Sequence, residues 1–330
     1  MNNRNLNIDL TKSLACLAIL GLHCIGYINY TLYYICTFGV PVFFMVNGYL
    51  MFGKTTISFK YSLTKALSVA RLVILWNLII MIPVMILKHK LANPFVQIYK
   101  SLIQQGYLWH FWFFGTLIIL YLILCPLHKL LTNPRNGLKL HILLCIILFL
   151  ICLGNTIYSY NNHYAMCVFV PQSLRLWVSL FYYLTGGLIA RLDRTDLIKK
   201  VPTSVLAASV ILLGIICNYG QKHLGNFGYS LRAAEYFYDE LTVILWCVSI
   251  FIFILRIRIP SKYEKPITSA SKLSLGVFII HPLILKASEV VFMAKTTPQA
   301  IALWGVVTVI SVITSFIISK IPFVKKLVEL

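Results

Sequence analysis

Ten apolar runs, each about twenty residues long and parted by short polar or charged segments, constrain this chain more than any other feature of it. Wound at 1.5 Å per residue, a run of that length crosses the roughly 30 Å hydrocarbon core of a bilayer. The runs fall at about 10–30, 33–52, 67–87, 111–130, 139–154, 174–190, 203–219, 239–257, 274–294 and 300–319. Only 12% of the 330 residues are charged and the mean hydropathy is +0.84, whereas soluble domains carry roughly 25% charged residues. Such a chain lacks the charged surface that a water-soluble enzyme, a disordered chain or a DNA-binding domain requires. The expected fold is an all-α polytopic membrane protein of about ten transmembrane helices. It reads as a single integral membrane domain over 1–330 with no appended soluble domain.

The basic excess is then a matter of orientation. Lys and Arg number 29 against 9 Asp and Glu, a net charge of +20 and a pI near 9.6. With the N-terminus inside, nineteen of the 29 fall on inner segments and seven on outer loops, while Lys12, Arg71 and Lys286 lie within runs. That bias puts both termini in the cytoplasm and removes nucleic acid as a partner. Asp9 and Lys12 precede or open the first run and no small-residue cleavage site follows it, so the run reads as a retained span. The long outer segments, 88–110, 155–175 and 220–238, are rich in Tyr, Asn and Gly and carry His89, His110, His163 and His223. Eight of the nine cysteines lie in apolar runs and none forms a CxxC pair, which indicates neither a disulfide framework nor a metal site.

Ionisable groups inside a span are costly, and each is a candidate for function. His23 lies eleven residues beyond Lys12 in the first run, about 16 Å along a helix axis. An imidazole at that depth suits a general base, although a histidine bonded to a neighbouring helix would read the same. Asp9 stands three residues before Lys12, on the same helical face. The second run holds Gly39, Pro41, Phe43, Phe44, Asn47 and Gly48, a pattern that also fits a proline-kinked packing helix. The fourth opens on Trp109-His110-Phe111-Trp112-Phe113, which an interfacial aromatic belt would equally give. The ninth holds Ser274-Leu275-Gly276 and His281-Pro282, followed by Lys286 and Glu289.

Together these stretches resemble the acyltransferase 3 family of integral membrane acyltransferases over nearly the whole chain. The family's basic residue, ten residues and histidine match Lys12 to His23. Its Val-Pro-Phe-Phe-x-x-Ser-Gly-Tyr pattern is met by Val40-Pro41-Val42-Phe43-Phe44-Met45-Val46-Asn47-Gly48-Tyr49, with Asn47 where many members have Ser. His110-Phe111-Trp112-Phe113 matches its His-x-Trp-Phe motif, and Ser274 to His281 its late Ser-Leu-Gly motif. Length and motif wording stand closest to the enterobacterial common antigen O-acetyltransferase branch.

The resemblance implies a membrane O-acyltransferase that moves an acyl group, usually acetyl, from cytoplasmic acyl-CoA to a hydroxyl of a cell-surface or lipid-linked glycan. His23 would be its general base. Acetyl-CoA would be a donor substrate rather than a permanently bound cofactor, with its phosphates held by Lys12 and by Arg71. Arg71, with Lys65 a turn and a half earlier, stands for a basic pair common in the family's third helix. From their place on the outer side alone, Trp109, His110, Trp112 and Glu289 would meet the acceptor, with Tyr107, Arg175, Asp239 and Glu240 as further outer candidates. Asp9, Asn47 and His281 would support the site. The implied setting is a bacterial cytoplasmic membrane. A ten-span transporter or flippase is the alternative, but it predicts paired broken helices in two halves, and the halves do not echo one another.

Overall fold

The structure, a computed structural model, describes residues 5–88, 93–195, 197–228 and 231–329. Arg4, His89 and Lys90, and the side chains of Lys88 and Lys199, lie outside the described residues. Among those described, twelve α-helices and no strand occur. In chain order they are α1 (Leu6–Ile25), α2 (Tyr30–Ile35), α3 (Gly39–Phe52), α4 (Phe59–Lys88), α5 (Pro94–Leu102) and α6 (Trp112–Leu131). The second half adds α7 (Gly137–Asn161), α8 (Leu176–Arg194), α9 (Thr203–His223), α10 (Leu241–Arg256), α11 (Glu264–Val291) and α12 (Thr297–Lys320).

Among the described residues, eight helical stretches are long and apolar enough to cross a bilayer: Leu6–Ile28, Tyr30–Phe52, Phe59–Ile86, Trp109–Leu131, Gly137–Asn161, Thr203–Gly228, Ser261–Val291 and Thr297–Lys320. They coincide with eight of the ten runs. The other two runs are helices as well, but α10 has 16 residues and α8 ends in Arg191, Asp193 and Arg194. The chain is an all-α polytopic membrane protein.

Helix α1 is the axis of the bundle, packing on α3, α10, α11 and α12. Asn5 caps it by accepting from the Asn7 and Ile8 amides, and Gly26, at φ +48°, ends it. Ala15, Cys16, Ala18 and Gly21 are buried along it, and such small side chains let neighbouring helices approach closely. The outer helices differ. Leu143, Ile146 and Leu150 of α7 and Ile211, Leu212 and Ile215 of α9 are exposed, as suits surfaces whose solvent is lipid.

The run 33–52 is not one helix. It is α2, a 3-10 turn at Cys36–Phe38, and α3. Pro41 therefore stands in the first turn of α3, where its missing N–H leaves no hydrogen bond unmade. The kink expected at Gly39-Pro41 is a restart of the helix. Farther along, α3 crosses α8 at Gly48 and Gly186, and the two backbones nearly touch.

Candidate active site

Three histidines from three elements meet at the last turn of α1. His23 comes from α1, His110 from the 3-10 turn Trp109–Phe111 that leads into α6, and His281 from α11. His23 Nδ1 lies 2.8 Å from His281 Nε2. The Trp109 ring is 4.8 Å from the His23 ring, and His110 is 5.9 Å from His281, centroid to centroid.

The partners determine the tautomers. His281 Nδ1 approaches the Val277 carbonyl at 3.2 Å, and a carbonyl only accepts, so Nδ1 carries the proton. His281 Nε2 is then a lone pair that accepts from His23 Nδ1–H. This leaves His23 Nε2 unprotonated, the form a general base needs. Pro282 follows directly and has no N–H for the Phe278 carbonyl, against which the His281 ring also lies. His110 is 1% exposed, and neither of its ring nitrogens has a hydrogen-bond partner; the Ile279 backbone approaches without hydrogen-bond geometry.

One cavity adjoins this cluster on its outer side, and a second lies on the inner side. Taking the inner end as the one where α1 begins, the inner cavity has a volume of about 590 Å³ and is lined by Lys12, Asn47, Lys65, Tyr121, Lys272 and Ser274, among others. Tyr121 donates its hydroxyl to Asn47 Oδ1 at 3.0 Å, and Ser271 donates to Asp9 Oδ1 at 2.7 Å. After α12 the chain folds back towards this cavity: Trp76 Nε1 donates to the Leu327 carbonyl, Val328 is buried, and Glu329 joins the lining. The outer cavity, of about 340 Å³, is lined by His23, Trp109, His110, Trp112, Gln172 and Glu235, with four tyrosines. Phe113 and Phe278 line both. Their rings pack 5.4 Å apart, so little more than one aromatic layer separates the chambers.

The match to a family described as an acyltransferase domain covers residues 5–320. The chain belongs to the acyltransferase 3 family. Of the motif residues quoted above, Lys12, Phe43, Asn47 and Ser274 line the inner chamber, His23, His110 and Trp112 the outer one, and Phe113 and Phe278 both. The chain is also similar to an amino-acid racemase of Enterococcus faecalis, 22% identical over 308 residues, which cover 86% of this chain and 42% of that protein. It thus spans less than half of that relative's length. No solved structure matches it.

His23, His110, His281, Trp109 and Trp112 come together, and Lys12, Asn47 and the Asp9–Ser271 pair stand at the inner end. Arg71 does not join them. It is exposed on α4, on the same stripe as Leu67, Ile74 and Leu78, and does not line the inner cavity; Lys65 and Lys272 supply the charge there. Glu289 is not at the site either. Its carboxylate pairs with Lys286 at 3.8 Å on an exposed part of α11, eight residues and about 12 Å past His281.

Of the outer candidates, Tyr107 faces Asn77 across a separate small pocket. Glu240 caps α10 through the Thr242 and Val243 amides. Arg175 and Asp239 line a small side chamber next to the outer cavity. The buried Asp239 carboxylate accepts from Trp177 Nε1 at 3.3 Å. Glu235, Gln172 and Lys272 were not singled out from the sequence. They lie in loops or at a helix face where no apolar run frames a charge, so nothing in the pattern drew attention to them.

Proposed function

We propose that the protein is an O-acyltransferase of the bacterial cytoplasmic membrane, moving an acyl group, in the first instance acetyl, from cytoplasmic acyl-CoA to a hydroxyl of a cell-surface or lipid-linked glycan. The observation that carries this reading is the meeting of a lysine-lined inner chamber and an aromatic outer chamber across the Phe113–Phe278 layer, beside His23. Both termini face the cytoplasm in this reading, which turns Lys12, Lys65 and Lys272 towards the compartment where the polyanionic donor is made.

The ammonium groups bind the donor's phosphates as point charges. The pantetheine arm runs outward along α1, over the roughly 16 Å between Lys12 and His23. At the aromatic layer the thioester carbonyl meets the acceptor hydroxyl. His23 Nε2 takes the hydroxyl proton as the oxygen attacks, the new C–O bond forms, the C–S bond breaks, and the imidazolium returns the proton to the leaving thiolate. His281 Nε2 accepts from His23 Nδ1–H throughout and stabilises the transient imidazolium, so it positions the base without touching substrate.

The test is thiol release from acetyl-CoA by the purified protein in nanodiscs, together with mass spectrometry of surface glycans from cells with and without the gene. A glycan mass lower by one acyl group in the deleted strain supports the reading; an unchanged glycan profile and no thiol release exclude it. Substrate movement without thiol release in proteoliposomes would favour a transporter instead.

Two variants sharpen the roles. Lys12→Glu reverses a charge in the donor chamber and is expected to raise the KM for acetyl-CoA about tenfold or more with little change in kcat. His281→Ala removes the group that holds the tautomer, and kcat should fall about a hundredfold, the upper end of what losing a partner that orients a histidine costs at metal sites. His281→Gln offers a side-chain oxygen to His23 Nδ1–H and should recover much of that loss. Equal activity of the Ala and Gln variants would show that His281 is packing alone.

A further inference from the structure

The outer chamber contains one carboxylate that the proton transfer does not use. Glu235 sits in the 3-10 turn Ala234–Tyr236 ahead of α10, half-buried, and faces the cavity with Tyr27, Tyr33, Tyr236 and Tyr238. Gln104 Nε2 donates to its Oε2. Gln104 itself is held at φ +67°, a left-handed backbone that non-glycine residues adopt at a cost. Among the described residues, no Lys or Arg lines this chamber. Arg175, in the side chamber, directs its Nε to the Val170 carbonyl at 3.0 Å and its Nη1 to the backbone carbonyl of Glu235 at 3.2 Å, so it anchors the turn. In the same wall, Gln172 Oε1 and both His110 nitrogens are buried without a hydrogen-bond partner among the described residues, with the Ile279 backbone close to the His110 ring.

Aromatic faces with a few polar groups suit a sugar ring, whose C–H face packs on Trp109 or Trp112 while its hydroxyls bond the polar groups. A carboxylate accepts from two hydroxyls or from an ammonium. A second anion beside Glu235 would meet like-charge repulsion in a chamber of low dielectric.

We propose that this chamber is an acceptor subsite for an uncharged or amino-bearing sugar ring, and that Glu235 both anchors that ring and turns acidic sugars away. The proposal rests on the acyltransferase reading above, and its test separates the two. Binding of methyl glucoside, methyl glucosaminide and methyl glucuronide to the full chain in nanodiscs is measured by tryptophan fluorescence, and thiol release from acetyl-CoA is followed independently. The glucoside and glucosaminide should bind at least about tenfold more tightly than the glucuronide. Glu235→Gln should bring the three within about twofold of each other, and Glu235→Asp should keep the preference. Equal binding of the three to the native chain, no binding of any, or a preference that survives Glu235→Gln would overturn the proposal even if thiol release is intact. A charge preference without any thiol release would leave the subsite standing and remove the transferase mechanism.

Discussion

Acyl transfer should fall by about 10²–10⁴-fold in His23→Ala, the span that positioned general bases contribute, while donor binding stays near that of the native chain. The reason is geometric. His23 is half-buried, and its ring meets Trp109 and His281 at the wall of the outer chamber. Removing it deletes the lone pair at Nε2 and leaves His281 Nε2 without its donor, at a cost of about 1 kcal/mol. The helix itself keeps its caps and its small-residue contacts. The measurement is thiol release at saturating acetyl-CoA, with donor affinity taken separately by calorimetry. Activity above a tenth of native in a folded variant would remove His23 from the chemistry. Loss of donor binding in step with kcat would point instead to a damaged bundle.

The second large effect concerns the crossing of α3 and α8. An added Cβ at Gly48 would overlap the carbonyl oxygen of Tyr183, and one at Gly186 would overlap that of Met45. In both cases the obstacle is backbone, which cannot rotate away as a side chain does. Gly48→Val and Gly186→Val should each destabilise the protein by about 3 kcal/mol or more, beyond the usual range for an overpacked core. The expected readout is loss of the monodisperse peak and of the thermal transition in detergent. Gly154 and Gly305 are the controls, because nothing lies within 4 Å of a Cβ added at either. Alanine there should be neutral or gain up to about 1 kcal/mol from helix propensity. If Gly48→Val melts like the native chain, the close crossing is wrong.

This crossing also shapes the site. It fixes α3, and with α3 the Asn47 amide that receives the Tyr121 hydroxyl beside the inner chamber. A member of the family with Ser at that position has a shorter side chain and would need a closer approach of α6 or a bridging water. Asn47→Ser is therefore a change of reach rather than of chemistry.

How far the site could be read from the sequence varied by residue type. His23, His110 and His281 were legible because an imidazole inside an apolar run is conspicuous, whatever lies around it. Lys12 was legible for the same reason. Arg71 met the same criterion, but the face of α4 on which it stands is exposed, and only the packing of α4 on α6 determines which face that is. Glu289 was singled out as an ionisable residue in a run, yet α11 has 28 residues and carries it beyond the chambers. Glu235 is the reverse case, a carboxylate in a polar loop that became part of a cavity only when the loops folded over the bundle.

The sequence alone determined that this chain is an all-helical membrane protein and which family it resembles. Both follow from local properties, the length of apolar runs and the spacing of a few polar residues along them, and a bilayer leaves a run of twenty apolar residues little choice but a helix. Tertiary structure alone decided that His281 sets the tautomer of His23, that two chambers meet at Phe113 and Phe278, and that Glu235 rather than Glu289 faces the outer one. Those depend on helix rotation and on loops more than a hundred residues apart in the chain. Helix rotation is set by contacts such as Gly48 on Tyr183, between residues whose proximity no periodicity along the chain encodes.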